Sequence, residues 1–206
     1  MTALPFLGIS VLTTILTPTG RSALRWVDPR LPAKAPIAET GWKRQLELAA
    51  KRNGLRPSLL AALVAVESSG NPRATRYEPQ FEGRYIRGNT KWDPARRAGW
   101  TDSDLATSRG LTQVLGVTAW ELGYRGLPEG LYEPARALEL GARYLRRHVD
   151  RWRTKDLAWA GVRLGLVGYN GGRGAVLAVL RGEPHQSLGY AQKVLRTEKR
   201  LKEGAI

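Results

Sequence analysis

The run Leu59-Leu60-Ala61-Ala62-Leu63-Val64-Ala65-Val66 leads directly into Glu67-Ser68-Ser69-Gly70. At helical spacing Leu60, Leu63, Val64 and Glu67 fall at i, i+3, i+4 and i+7, so the carboxylate takes the next place on the apolar stripe. A fold that accepts this helix must bury an acid at its end. Such a carboxyl is either paired or held protonated. Taken alone, Glu67 also admits the ordinary reading of a helix-end residue that snorkels or pairs with an arginine.

The chain can afford such a core: 206 residues with 42% hydrophobic content suffice for one sizeable domain and a short appendage. Cysteine is absent, which excludes disulfides and thiolate metal sites, and His148 and His185 are too few and too far apart for a histidine-built centre. Neither a metal nor a cofactor is expected. The formal charge of +15 and pI near 10.7 favour a polyanionic partner, with a solvated arginine-rich surface as the plain alternative. No nucleic acid is expected, because neither zinc-finger spacing nor a basic region followed by heptads occurs.

Three regions follow from composition. Residues 1–20 open with an apolar, uncharged run over 1–16 and close on Pro18-Thr19-Gly20, which is short for a membrane span. No Lys or Arg precedes it, so three readings stand: an export signal of unusual form, a membrane-contacting anchor, or a hydrophobic arm docked on a partner protein, a virion protein included. Residues 21–39, with Pro29, Pro32 and Pro36, read as a linker. Residues 40–206 read as the domain.

Within the domain, Thr40 is a candidate N-cap for a helix over 42–52 that turns Leu46, Ala49 and Ala50 inward and stops at Asn53-Gly54. Pro57 suits the first turn of the helix that carries Glu67, and Gly70-Asn71-Pro72 ends it. The segment 75–108, rich in aromatics and breakers, predicts a cleft wall or lid with short helices near 81–86 and 102–106. A short helix is expected at 118–122. Residues 135–152 form the clearest amphipathic pattern, with Leu138, Ala142, Leu145, Val149 and Trp152 on one face. Asp156 can cap the next helix, apolar nearly all round, which ends at Tyr169-Asn170-Gly171-Gly172, and two more follow at 174–180 and 188–202. No alternating strand or internal repeat is legible, so the class is all-α.

Downstream of Glu67, three loops set polar groups at the edges of apolar helices: Gly110-Leu111-Thr112-Gln113-Val114, Tyr169-Asn170-Gly171-Gly172 and Gly189-Tyr190-Ala191-Gln192-Lys193-Val194. Singly, Gln113 could satisfy backbone, Asn170 could cap and Tyr190 could fill core. In this order, with Glu67-Ser68-Ser69-Gly70-Asn71-Pro72, they resemble the motifs E-S-x-x-N-P, G-L-M-Q-I, Y-N-x-G and Y-V-x-K-V of lytic transglycosylases with the soluble-transglycosylase catalytic domain, relatives of goose-type lysozyme. The likeness spans residues 42–200. The segment from Arg76-Tyr77-Glu78-Pro79 to Tyr85 further resembles a longer catalytic loop of phage-associated and prophage-like enzymes.

The resemblance implies a lysozyme-like fold of about seven to nine helices around a substrate cleft. It implies that Glu67 is the general acid and base, that Gln113, Tyr169 and Asn170 shape the muramyl subsite, that Thr75 meets the N-acetyl group and that Tyr190 borders the cleft. The implied substrate is peptidoglycan glycan strands, with anionic wall polymers as a further partner for the basic surface. The implied location is extracytoplasmic, in the periplasm or cell wall, or in a virion component acting on the wall. The implied reaction cleaves the bond between N-acetylmuramic acid and N-acetylglucosamine and closes 1,6-anhydromuramic acid. The alternatives are a hydrolytic muramidase and a non-catalytic wall-binding component of a virion or secretion machine.

Glycosidases commonly use two carboxylates. Asp93, Asp102 and Asp104 are the candidates for a second, but Arg96, Arg97 and Arg109 stand beside them and predict pairing or solvation. Without a second carboxylate, the substrate's own N-acetyl group can stabilise the anomeric centre. Two departures bear on substrate fit: Thr112 stands where the motif has methionine, and Gly116-Val117 stands where a proline commonly follows.

Overall fold

A computed structural model describes residues 13–16, 22–25, 41–153 and 158–204. Strand β1 (Thr13–Leu16) pairs antiparallel with β2 (Ser22–Arg25), Thr13 opposite Arg25 and Leu16 opposite Ser22. The hairpin spans the end of the apolar run and the start of the proline-rich stretch. The remaining residues up to 40, with the proposed Thr40 cap, lie outside the described residues, as does Asp156. No helix among the described residues is long and apolar enough to cross a membrane.

Helix α1 (Lys43–Arg52) buries Leu46, Ala49 and Ala50, with Trp42 at its N-cap. It stops at Asn53, whose side chain donates to the Ala49 carbonyl at 2.9 Å, and at Gly54 with φ of 59°. Helix α2 (Pro57–Ser68) buries Leu59, Leu60, Ala61, Ala62, Leu63, Val64 and Glu67, more of its circumference than the stripe alone. It ends where Ser69 and then Gly70 take left-handed backbone angles, φ 53° and 79°.

The segment after α2 is compactly built. Strand β3 (Thr75–Tyr77) leads to α3 (Pro79–Phe81), which continues as a π-helical turn over Glu82–Ile86. A 3₁₀ turn (Thr90–Trp92), α4 (Asp93–Arg97) and α5 (Asp102–Leu105) follow, and Thr101 and Asp104 close a reciprocal capping box on α5. Strands β4 (Thr107–Arg109) and β5 (Val114–Leu115) complete an antiparallel sheet in the order β3-β4-β5. The all-α class holds with this small sheet added. Strands of two or three residues are too short to show a period of two, and β4 is polar yet wholly buried.

Helix α6 (Gly116–Glu121) and a 3₁₀ turn (Pro128–Tyr132) precede α7 (Pro134–Trp152). Helix α8 (Ala158–Leu180) merges the two helices expected over this stretch across a break at Gly172, whose φ of 70° and ψ of −171° suit only glycine. Helix α9 (Gln186–Lys202) closes the chain, with the His185 side chain accepting from the Ser187 amide.

Two cores result. The larger joins α1, α2, α7, α8 and α9 through Leu46, Leu60, Leu63, Leu138, Leu145, Leu166 and Val194. The smaller gathers Ile86, Trp92, Trp100, Leu105, Val114, Trp120 and Leu131. In it Trp100 meets Trp120 and Tyr124 edge-on, each at 6.0 Å between centroids, and its indole N–H donates to the Gly126 carbonyl at 3.0 Å. The segment 75–108, expected as a cleft wall or lid with short helices, therefore also supplies half of a second core. Helix α7 serves both cores, since Leu138 and Leu145 enter the first and Leu140 the second. The turn between β4 and β5 bridges them too, with Leu111 in one and Val114 in the other.

Helix α9 is locked to the start of α2 by a buried acid. Glu198 accepts from Arg56 at 2.7 and 2.9 Å and from the Ser58 hydroxyl at 2.9 Å, and Lys202 lies 3.2 Å away. Burial alone would raise its pKa, but these donors outweigh it and hold the carboxyl at about 2. The lock sets the rotation of α9 and hence the position of Tyr190.

Candidate active site

Glu67 is 3% exposed at the end of α2. Its Oε1 accepts a hydrogen bond from the Tyr190 hydroxyl of α9, while its Oε2 is buried without a hydrogen-bond partner. Burial pushes the carboxyl up to about 8, against the opposing pull of the Tyr190 hydrogen bond and the charges of Arg76 and Lys193. At neutral pH the acid is mostly protonated. Because Oε1 accepts from Tyr190, the proton belongs on Oε2, the oxygen with nothing to give it to.

The environment keeps its donors protonated as well. Burial first, and then the charge of Glu67, lift the phenols of Tyr190 and Tyr169 well above their ordinary value. Burial lowers Lys193, and Glu67 opposes that shift. A single acid thus sits among groups of α8 and α9 that respond to its charge, while the charge of Arg76 on β3 acts on the acid itself.

The turn 110–113 holds this arrangement together. Ser68, the last residue of α2, donates through its hydroxyl to the Leu111 carbonyl at 2.8 Å. Gln113, at a left-handed φ of 47°, donates from Nε2 to the carbonyls of Ala74 at 3.0 Å and Gly110 at 2.9 Å. Tyr169 donates to the Thr112 carbonyl at 2.6 Å. Helix α2, the residue that leads into strand β3 and helix α8 are therefore tied to one four-residue turn.

Of the residues singled out from sequence, Glu67, Gln113, Tyr169 and Tyr190 fall into this one network. Its members do different things. The Gln113 amide nitrogen is spent on backbone, as one of its two readings had it, so it shapes the turn. Asn170 is buried and accepts from the Ser187 hydroxyl at 2.8 Å, which joins α8 to α9 beside the Gly172 break. Thr75 stands exposed on β3, in register with Arg109.

Sequence reasoning gave no role to Arg76, Ser108 or Lys193. Burial along β3 runs exposed, half-buried, exposed, so Arg76 takes the inward place between Thr75 and Tyr77. Arg76 is held by Glu78, with Nε 2.9 Å from Oε1. Burial raises Glu78, and Arg76 pulls the other way. A three-residue strand gave no pattern from which the inward position could be read. Lys193 did lie in a quoted motif, but only the packing of α9 shows which way it faces.

The acids considered for a second carboxylate are engaged elsewhere. Arg96 reaches Asp93 at 2.6 Å and Asp102 at 2.7 Å, and Arg109 reaches Asp104 at 2.5 Å. Pairing rather than catalysis is what their arginine neighbours predicted. Among the described residues, no three His, Asp or Glu side chains converge as a metal-binding group.

Both departures from the motif fall in packed joints. Thr112 is fully buried, its hydroxyl donates to the Ala137 carbonyl at 2.7 Å, and a Cβ on Gly141 would lie 2.4 Å from its own Cβ. The side chain thus seats the turn on α7. Thr112→Met is expected to lower stability by about 1–3 kcal/mol through overpacking and the lost hydrogen bond, read as a lower urea midpoint at unchanged slope. At Gly116 any Cβ, a proline's included, would sit 2.2 Å from the Asp104 carbonyl oxygen. Close contact with the backbone of α5 excludes the proline here.

The family described as the transglycosylase SLT domain matches residues 45–190, which include Glu67, Gln113, Tyr169, Asn170 and Tyr190. No curated protein matches the chain.

Proposed function

The chain belongs to the transglycosylase SLT domain family, whose substrate is peptidoglycan, and from that premise we propose that Glu67 alone serves as acid and base in a lytic transglycosylase reaction. In the first half, Oε2 gives its proton to the oxygen linking N-acetylmuramic acid to N-acetylglucosamine. The bond from that oxygen to the anomeric carbon breaks, and the muramyl N-acetyl oxygen stabilises the positive centre. In the second half, the Glu67 carboxylate takes the proton of the muramyl 6-hydroxyl as O6 bonds to the anomeric carbon. The proton count closes: glutamic acid is restored, no water is consumed, and the products are a free 4-hydroxyl and a 1,6-anhydromuramyl end.

One observation carries this reading. Glu67 is buried and raised to about 8, with one oxygen oriented by Tyr190 and the other unpartnered. A general acid must hold its proton near neutral pH and release it to a substrate, which is the state this environment favours. The pairing of Asp93, Asp102 and Asp104 with arginines supports a mechanism that draws its second group from the substrate. Its site of action would be the cell wall, outside the cytoplasm.

Mass spectrometry of the fragments released from purified peptidoglycan tests the reaction type. Anhydromuramyl ends are expected. Reducing muramyl ends would replace the proposal with a hydrolytic muramidase, and glycan binding without turnover would replace it with a wall-binding component.

A further inference from the structure

Beside Glu67 Oε2, two other buried polar atoms have no hydrogen-bond partner in this region of the fold: Arg76 Nη1 and Ser108 Oγ. Arg76 and Ser108 face each other across the β3–β4 pair, so their side chains share one face of the sheet. Ser108 is fully buried. The sheet is drawn toward the end of α2 by the 110–113 turn, to which both Ser68 and the carbonyl of Ala74 are bonded. Arg76 is thereby near enough for its charge to act on Glu67, yet the ion pair it makes is with Glu78. That pair occupies Nε, while Nη1 stays unspent.

We propose that Arg76, oriented by Glu78 and set opposite Ser108, is a positioning residue that lets Glu67 exist in both charge states. This rests on the reading of Glu67 as acid and base. In the resting site Glu78 balances the guanidinium, so Arg76 does not strip the proton from Glu67. Once that proton has gone to the leaving oxygen, a carboxylate remains in a buried site, and the spare N–H of Arg76, opposite Ser108 on the same face of the sheet, supplies stabilisation that water would otherwise give. The groups that act on the Glu67 charge are then Arg76 from β3, Tyr169 from α8, and Tyr190 and Lys193 from α9. Arg76 carries its own counter-ion in Glu78, which is what makes its influence adjustable.

The test is the pH profile of kcat/KM on purified peptidoglycan for Arg76→Met, Arg76→Lys and Glu78→Gln, with thermal melts of each variant and Glu67→Gln as the control. The alkaline limb reports loss of the acid's proton. Removing the cation should move that limb upward by about one pH unit and lower kcat more than it changes KM. Arg76→Lys should return the limb toward its original place. Glu78→Gln should move it downward, because the guanidinium is then unbalanced. If Arg76→Met fails to fold, the opposite shift in Glu78→Gln still decides. A folded Arg76→Met with an unmoved limb, an Arg76→Lys that behaves like the methionine variant, or an upward shift in Glu78→Gln would each overturn the inference while leaving Glu67 as the acid. Activity retained in Glu67→Gln would instead remove the reading on which it rests.

Discussion

Glu67→Gln is expected to fold and to lose at least about 1,000-fold in peptidoglycan cleavage, since one side chain is asked to supply both proton transfers. The glutamine is close in shape to the protonated acid that occupies the site at neutral pH. It can still accept from Tyr190, whose hydroxyl donates to Oε1 in the native site. Packing around Leu63, Val64 and the end of α2 therefore has no reason to change. What disappears is the proton on the unpartnered oxygen. Digestion of purified peptidoglycan, followed as release of soluble fragments, provides the measurement. A variant that melts like the parent and still cleaves at a comparable rate would exclude Glu67 from the chemistry.

The same substitution should change how stability depends on pH. In the folded chain the Glu67 carboxyl is raised from its ordinary 4.5 to about 8, so the native state holds a proton that the unfolded chain releases earlier. The contribution is therefore fully present below about pH 4.5 and is lost as pH rises through about 8, where the buried group must ionise. Integrated over that interval, the difference is on the order of 5 kcal/mol. Urea unfolding of the parent and of Glu67→Gln at pH 5 and pH 9 isolates the effect, because all other titrating groups are common to both. The two proteins should be alike at the lower pH, and the glutamine variant should be clearly the more stable at the higher one. Parallel curves would mean that the acid is solvated or paired and could not act as proposed.

Much of the scaffold was legible in the residues. The stripe Leu60, Leu63, Val64 and Glu67 is buried as its spacing required, and so are Leu138, Ala142, Leu145 and Val149 along α7. The stop at Ser69 and Gly70 and the break at Gly172 fall where glycine-rich sequence announced them. These features depend on neighbours a few residues apart, and helical periodicity is a property of such neighbours.

The second core was not legible. Trp100 is enclosed by Trp120, Tyr124 and the carbonyl of Gly126, and no local pattern in a segment full of breakers shows that those groups will meet it. The small sheet escaped for a related reason. Thr107, Ser108 and Arg109 are polar in sequence, yet all three are buried in the fold, between strands β3 and β5. Arg76 followed from the sheet, since its inward direction is defined by pairing with Ser108 on another strand.

The sequence by itself determined that a carboxyl would end a buried helix and that the chain would break just after it. Only the tertiary structure decided what state that carboxyl is in. Tyr190 reaches Glu67 across 123 residues of chain, and Arg76 comes to it on a strand whose start, at Ala74, is held by Gln113 of the turn that Ser68 also grips. The physical reason lies in range. Periodicity is set by the backbone geometry of adjacent turns, whereas the free energy of a buried charge sums over every dipole and ion that distant segments bring within a few ångströms.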